Sequence, residues 1–388
     1  MARTGSLGLP DFALEVYFSR WEFAAAHNLT ASDAETLTIR ELLDLAGEDG
    51  KPELLNLPLG YVPSWGGDAL REAIAATYDS IEAESVLAFA GAGEALFWGL
   101  QLLLEPGDHA IVTVPNYQSL ESVPMATGVA IDGLPLWSGS GESLRWELDL
   151  DRLRSLLRPE TSLLAVNFPN NPTGFIPAES VWLELLDLCE ERGIRVLSDE
   201  VYRGIEIDPA RRISQAVDRS PTALSVNVMS KAYGLPGLRL GWVACRDHGV
   251  LERLEKAKHY TSICNAGPSE HLAAVALRLA PVLLERNRQL AAANSTLVEN
   301  FSRAHPGIFE YESPDGGCVA FPRYLGPDGV EAFCQAAVEE HGVMLLPSSL
   351  YASSLAEVPS DRFRIGIGRR AVPEALEALG RHVRDAAS

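Results

Sequence analysis

Four short segments place together residue types that can do chemistry on a small molecule. In Ser230-Lys231-Ala232-Tyr233-Gly234-Leu235-Pro236-Gly237-Leu238-Arg239, a lysine follows a strand-like run ending in Val228 and enters a loop rich in Gly and Pro. A lysine desolvated in such a loop keeps a neutral amine, able to condense with a carbonyl. Arg239, eight residues on, offers a fork of donors suited to a phosphate. Taken alone, a lysine in a loop is usually a solvated surface charge. In Leu197-Ser198-Asp199-Glu200-Val201-Tyr202 a carboxylate stands at a strand end, with a tyrosine three residues later. That carboxylate can pair with a protonated ring nitrogen, or it can simply cap a helix. Asn167-Phe168-Pro169-Asn170-Asn171-Pro172-Thr173-Gly174 is a turn by composition, whose Asn171 amide is free to donate to a ligand. Gly91-Ala92-Gly93-Glu94 has small residues at a helix start, where backbone N–H groups can reach a phosphate.

The elements that must position these segments alternate. Strand-like runs are expected at Val86–Ala90, Ala110–Val114, Leu163–Asn167, Arg195–Ser198, Leu224–Val228 and Leu240–Cys245. Helical patterns are expected at Asp68–Ser80, Glu94–Leu104 and Ala178–Arg192. This alternation is that of a mostly parallel sheet covered by helices, and such sheets place their sites at the carboxyl ends of the strands. After about residue 280 the texture changes to a long helix, Pro281–Ala304, short strands, and a last helix at Pro373–Arg384. The expected division is an N-terminal segment, 1–60, contributing to a small domain and the pocket mouth, a large domain at 61–280, and a small α+β domain at 281–388.

Asn-Pro-Thr-Gly (171–174), Asp-Glu-Val-Tyr (199–202) and Ser-Lys-x-x-Gly-Leu-x-Gly-x-Arg (230–239), in that order, resemble the pyridoxal-phosphate (PLP)-dependent aminotransferase superfamily of fold type I. The likeness runs from about Tyr61 to Arg369. It implies an α/β fold whose large domain has a mostly parallel sheet sandwiched by helices, with a smaller α+β domain attached. It also implies an enzyme that holds PLP as a Schiff base on Lys231, which then serves as the general base. Asp199 would pair with the pyridine nitrogen, and Tyr202 and Asn171 would hold the ring oxygen. Tyr117 would stack on the ring. Ala92, Gly93, Ser230 and Arg239 would bind the phosphate, with Tyr61 reaching the phosphate of a partner subunit in a homodimer with shared sites. Arg364, in Arg-Phe-Arg-Ile-Gly-Ile-Gly, would clamp the substrate α-carboxylate together with Asn171. The partners so implied are an α-amino acid and a 2-oxo acid.

The chain departs from the family pattern at Val228, where a phosphate-binding hydroxyl is usual, and at Pro347-Ser348, where Pro-Gly is usual. Ser230 or Thr261 is the expected replacement for the missing hydroxyl. His259-Tyr260-Thr261-Ser262-Ile263-Cys264 has no arginine for a substrate side-chain carboxylate, which argues against dicarboxylate specificity. The stretch Leu29–Thr36 also differs; Asp33 or Glu35 there would meet a basic or hydroxylated side chain, or Ser32 with Glu35 would cap a helix. This stretch, the Lys231 loop and Val319-Ala320-Phe321-Pro322-Arg323 resemble, more distantly, the capreomycidine-synthase-like enzymes. That likeness implies cyclisation of a hydroxylated arginine instead of amino-group exchange; exchange between an α-amino acid and a 2-oxo acid, the commoner outcome on this fold, is the expected reaction and cyclisation the alternative.

The bulk composition sets limits. The 388 residues carry a net charge of −21, from 53 acidic against 32 basic residues, so nucleic acid and anionic membrane are poor partners. A ligand-sensing regulator built on this fold is disfavoured by the acidic balance and by the absence of a basic face in the 60 residues before Tyr61. The five cysteines are scattered, without metal-ligand spacing. The first residues show no signal-peptide run, and the expected location is the cytoplasm, with no metal.

Overall fold

Seven strands with almost wholly apolar, buried faces build the central sheet of the computed structural model, which describes residues 8–47, 50–139 and 141–386. The start of the chain that bears on a signal peptide, Met1–Leu7, lies outside the described residues. The strands are β1 (Val86–Phe89), β2 (His109–Val114), β3 (Ala130–Pro135), β4 (Thr161–Asn167), β5 (Arg195–Asp199), β6 (Leu224–Val228) and β7 (Gly241–Cys245). Their order is β1-β7-β6-β5-β4-β2-β3. β7 runs antiparallel to both neighbours, and the other six point one way. Near-continuous Val, Ile, Leu and Ala runs fit a parallel sheet covered on both faces. The expected strands match the observed ones to within a residue or two, while β3 was not expected. Its sequence, Ala-Ile-Asp-Gly-Leu-Pro, is broken by Asp132, Gly133 and Pro135 and is largely only partly buried, as the sheet edge allows.

Helices α1 (Ala13–Trp21), α2 (Ile39–Ala46), α3 (Ala92–Leu102), α4 (Glu179–Glu191), α5 (Ala280–Ala304), α6 (Val330–His341) and α7 (Val372–Ala386) are the ones that bear on the site. α3 follows β1 through the Gly91 turn, and α4 buries Trp182, Leu185, Leu186 and Cys189 under the sheet. After α5 the strands β8 (Val319–Ala320), β9 (Leu346–Pro347) and β10 (Phe363–Gly366) form a three-stranded antiparallel sheet with β10 in the middle. The N-terminal segment reaches this region, where His27–Asn28 pair in parallel with Val343–Met344.

The expected helix cap at Ser32 is not formed. The helix begins seven residues later, at Ile39, and its capping box is Thr38 with Glu41: Glu41 N donates to Thr38 Oγ1 (3.2 Å) and Thr38 N to Glu41 Oε2 (2.7 Å). Ser32-x-x-Glu35 and Thr38-x-x-Glu41 are the same local pattern, but only the second precedes an apolar stripe, whose Leu42 and Leu43 are buried. Thr38→Ala is expected to lower stability by about 1 kcal/mol, seen as a lower denaturation midpoint at unchanged slope. Among the described residues no helix is long and apolar enough to cross a membrane, and all five cysteines are free thiols.

Candidate active site

Because six strands of the sheet share one direction, their carboxyl ends deliver the chemical groups to one place. β1 leads to Gly91–Gly93, β2 to Tyr117, β4 to Asn167 and Asn171, β5 to Asp199 and Tyr202, and β6 to Ser230 and Lys231. All of these but Gly91 line a single cavity of about 950 Å³, joined by Arg239 and Arg364 and by Ser32, Asp33 and Glu35 of the N-terminal stretch. Tyr61 is the exception among the expected site residues: it is 93% exposed and does not line this cavity.

Local hydrogen bonds hold the turns. Asn167 Nδ2 donates to the Asp199 carbonyl (3.0 Å), while its Oδ1 accepts from Asn171 N (2.7 Å). The expected turn is thereby tied to the end of β5, and its Asn171-Pro172 bond is cis. Asp199 heads no helix; its Oδ1 accepts from Val201 N (3.2 Å), and burial pushes its carboxyl up to about 7. A buried acid in that state favours a cationic partner. Lys231 Nζ donates to Ser32 Oγ (2.7 Å), and desolvation lowers its pKa, against the opposing charge of Asp33. That shift favours the neutral amine.

Two buried groups are left wanting a ligand. Arg364 is fully buried on the central strand β10, not on an edge. Its Nη1 donates to Asn171 Oδ1 (3.1 Å) and its Nη2 to the Thr30 carbonyl (2.9 Å), while its Nε has no partner. No carboxylate among the described residues pairs with it, so a cation sits buried beside the cavity without a counter-ion. A substrate carboxylate is the natural complement. With Asn171 Oδ1 occupied by Arg364, the amide Nδ2 is left to donate. The Tyr202 hydroxyl is likewise buried and unpartnered, with the Ser32 hydroxyl close by.

An anion cradle stands at the start of α3. Gly91 has φ 97°, and a Cβ there would come 2.9 Å from the Arg239 guanidinium, so glycine lets the arginine close over the helix terminus. The free N–H groups of Ala92 and Gly93, the Ser230 hydroxyl and Arg239 face the same space. Thr261 is not part of it: its hydroxyl donates to Glu94 and it does not line the cavity. Of the two expected replacements for a hydroxyl at Val228, only Ser230 lines the cavity.

The stretch from Leu29 to Glu35 lies as a strap along β10 and puts Ala31, Ser32, Asp33 and Glu35 in the cavity wall. Cβ atoms on Gly366 and Gly368 would meet the Ala31 and Asp33 carbonyl oxygens at 2.2 and 2.3 Å, so these two glycines let the strap lie flat on β10. Asp33 chelates Arg369 (3.0 and 2.5 Å), and Glu35 Oε2 accepts from Arg370 N (2.8 Å). Both carboxylates therefore face the cavity already engaged. Two others were not anticipated from sequence, Glu15 and Glu22, brought over the cavity by α1. Glu15 Oε1 accepts from the Tyr117 hydroxyl (3.1 Å), whose ring also packs on Phe12. Burial, then the charges of Glu15 and Asp33, pushes the Glu22 carboxyl up. The only sequence signal for this wall was the acidic content of the segment.

A sheet of this order, with a lysine, a buried acid, an anion cradle and a buried arginine at its carboxyl edge, defines a PLP-dependent enzyme of the aspartate-aminotransferase-like fold. The family model for aminotransferase class I and II matches residues 55–379, and the chain belongs to that family. Its cofactor is pyridoxal 5'-phosphate. Among similar proteins, the capreomycidine synthase of Streptomyces vinaceus is 32% identical, over 98% of each chain. A PLP-dependent aminotransferase structure from Streptococcus suis superposes with TM-score 0.89 at 30% identity, covering 97% of this chain and 98% of that one. The PLP-dependent cyclase OrfR superposes with TM-score 0.87 at 27% identity, over the same shares.

Proposed function

We propose that this enzyme acts on an α-amino acid with a cationic, guanidinium-like side chain, and that it removes the elements of water and closes a ring. The carrying observation is the acidic side of the cavity that Arg364 also lines. Arg364 suits the α-carboxylate, and Glu15 and Glu22 face the same cavity from α1, where a cationic side chain would extend. Similarity to a capreomycidine synthase across 98% of both chains, N-terminal strap included, and to a cyclase structure supports this reading.

When bound, PLP supplies a sink for the electron pair left at the substrate α-carbon. Lys231 Nζ takes the α-proton. Ser32, hydrogen-bonded to that amine, is placed to pass a proton to a hydroxyl leaving the β-carbon as water. Lys231 restores the Ser32 proton with the one taken from the α-carbon; a side-chain nitrogen then bonds to the β-carbon in the hydroxyl's place, and its surplus proton passes through Lys231 to the α-carbon. The net change is loss of one water, with no oxo acid consumed. In the same reading Asp199 holds the ring nitrogen, Tyr202 and Asn171 the ring oxygen, Tyr117 the ring face, and Ala92, Gly93, Ser230 and Arg239 the phosphate. Exposed Tyr61 serves a second copy of the chain in a homodimer.

Plain transamination of the same amino acid is the second reading, favoured by the family as a whole and by the likeness to the Streptococcus suis aminotransferase. Mass spectrometry after incubation with arginine or β-hydroxyarginine, with and without pyruvate, separates the two. A product lighter by one water, formed without pyruvate, supports cyclisation; an oxo acid and alanine, formed only with pyruvate, support transamination. Turnover of dicarboxylic or apolar amino acids alone would sink both. Glu22→Gln and Glu15→Gln are each expected to lower kcat/KM for the cationic substrate about 10- to 100-fold, the loss of one charge-assisted hydrogen bond. A neutral amino acid tested in parallel should be unaffected.

A further inference from the structure

Away from the active site, among the described residues, one group of three potential metal ligands comes together. Glu340 and His341 end α6, and His382 lies on α7 packed against it. One ligand atom from each falls within 4.8 Å of the other two. His382 is only 3% exposed, its ring 4.9 Å from Phe333 and 5.0 Å from His341. It hydrogen-bonds the Phe333 carbonyl, while its Nε2 is buried without a partner. The bond to the carbonyl therefore belongs to Nδ1. One nitrogen anchored on a carbonyl and the other free is how a metal-binding imidazole is held. An ordinary core histidine would satisfy both nitrogens, because an unmet buried one is costly.

We propose that His341, His382 and Glu340 bind a zinc ion, with Asp385 at the rim as a fourth ligand. Asp385 follows His382 by three residues, and its Oδ2 is 3.7 Å from His341 Nε2. Bonds of about 2.0–2.1 Å in a tetrahedron set neighbouring ligand atoms about 3.4 Å apart. Rotations of exposed Glu340 and partly buried His341 close the remaining gap. The set of two imidazoles and carboxylates suits a borderline divalent ion better than magnesium or calcium. The carboxyl end of α6 adds the negative pole of its dipole.

Such an ion would clamp α6 to α7. α7 carries Glu374 and Ala375 into the cavity wall, and α6 runs through Gly342 to Val343–Met344, which pair with His27–Asn28 just before the strap. The metal thus stabilises the frame that holds the substrate side of the pocket, and takes no part in the reaction.

The test is calorimetric titration of zinc into chelator-treated, untagged holoenzyme, with melting temperature read alongside. One saturable site in the wild type, with a higher melting temperature, is expected. His341→Ala should weaken binding at least tenfold and abolish the melting shift, with unchanged turnover. Glu340→Gln, at an exposed position, should weaken binding less and guards against misfolding of the histidine variant. Cobalt in place of zinc should give the visible bands of a four-coordinate ion in the wild type only. No saturable zinc binding by the wild type, or binding unaltered in both variants, would overturn the site.

Discussion

Lys231→Ala is expected to lose turnover by about 10⁴-fold or more, since in the proposed reading the variant lacks both the amine that holds the cofactor and the base that moves the α-proton. The expectation rests on placement. Lys231 leaves β6 at its carboxyl end, its amine is desolvated, and its Nζ lies 2.7 Å from Ser32. Lys231→Arg is the sharper control. It keeps the positive charge, but a guanidinium stays protonated and cannot serve as base, so it should fail as badly as alanine. Absorbance and rapid-mixing kinetics provide the readout. The visible band of protein-linked PLP should be present in the wild type and lost in both variants. Retention of that band in Lys231→Ala would assign the linkage to another residue; retained turnover in Lys231→Arg would show that charge alone suffices.

Asp199→Asn should lower kcat/KM by between about 10² and 10⁴, the equivalent of roughly 3–5 kcal/mol for breaking one buried ion pair. In its proposed role Asp199 neutralises a protonated ring nitrogen; the amide fills the same space but cannot. A second readout is independent of activity. In the cofactor-free protein burial raises the Asp199 carboxyl from 3.8 to about 7. A raised acid contributes stability in full below its unfolded pKa and loses it as pH rises through the folded value. Apo wild type should therefore lose stability from this group between about pH 4 and pH 7, and level off above. An amide at this position does not titrate, so the apo Asp199→Asn variant should gain on the wild type over that window, as melting temperatures from pH 4 to 8 would show. Equal pH profiles would mean that Asp199 ionises in the apoprotein at little cost.

Much of the site was legible because its residues stand beside strong local signals. Lys231, Asp199 and Asn171 each follow an apolar run that reads as a strand, and Gly91–Gly93 stand between a strand and a helix. A parallel sheet collects such ends at one edge, so local pattern sufficed to place them together. β3 escaped because an edge strand needs no apolar run, and Thr38 lost to Ser32 because a capping box is a four-residue pattern present twice.

The sequence alone thus determined the class of fold, the candidate lysine and its order among the motifs, since these are written in periodicity and turn chemistry within a few residues. Tertiary structure decided the substrate side. Ser32 and Lys231 meet across 199 residues, and Arg369 claims Asp33 across 336. α1 carries Glu15 and Glu22 over a cavity formed by strand ends far along the chain. His341 and His382 meet only because α6 packs on α7. Such contacts depend on how elements stack, and a local pattern carries no record of which distant surface will cover it.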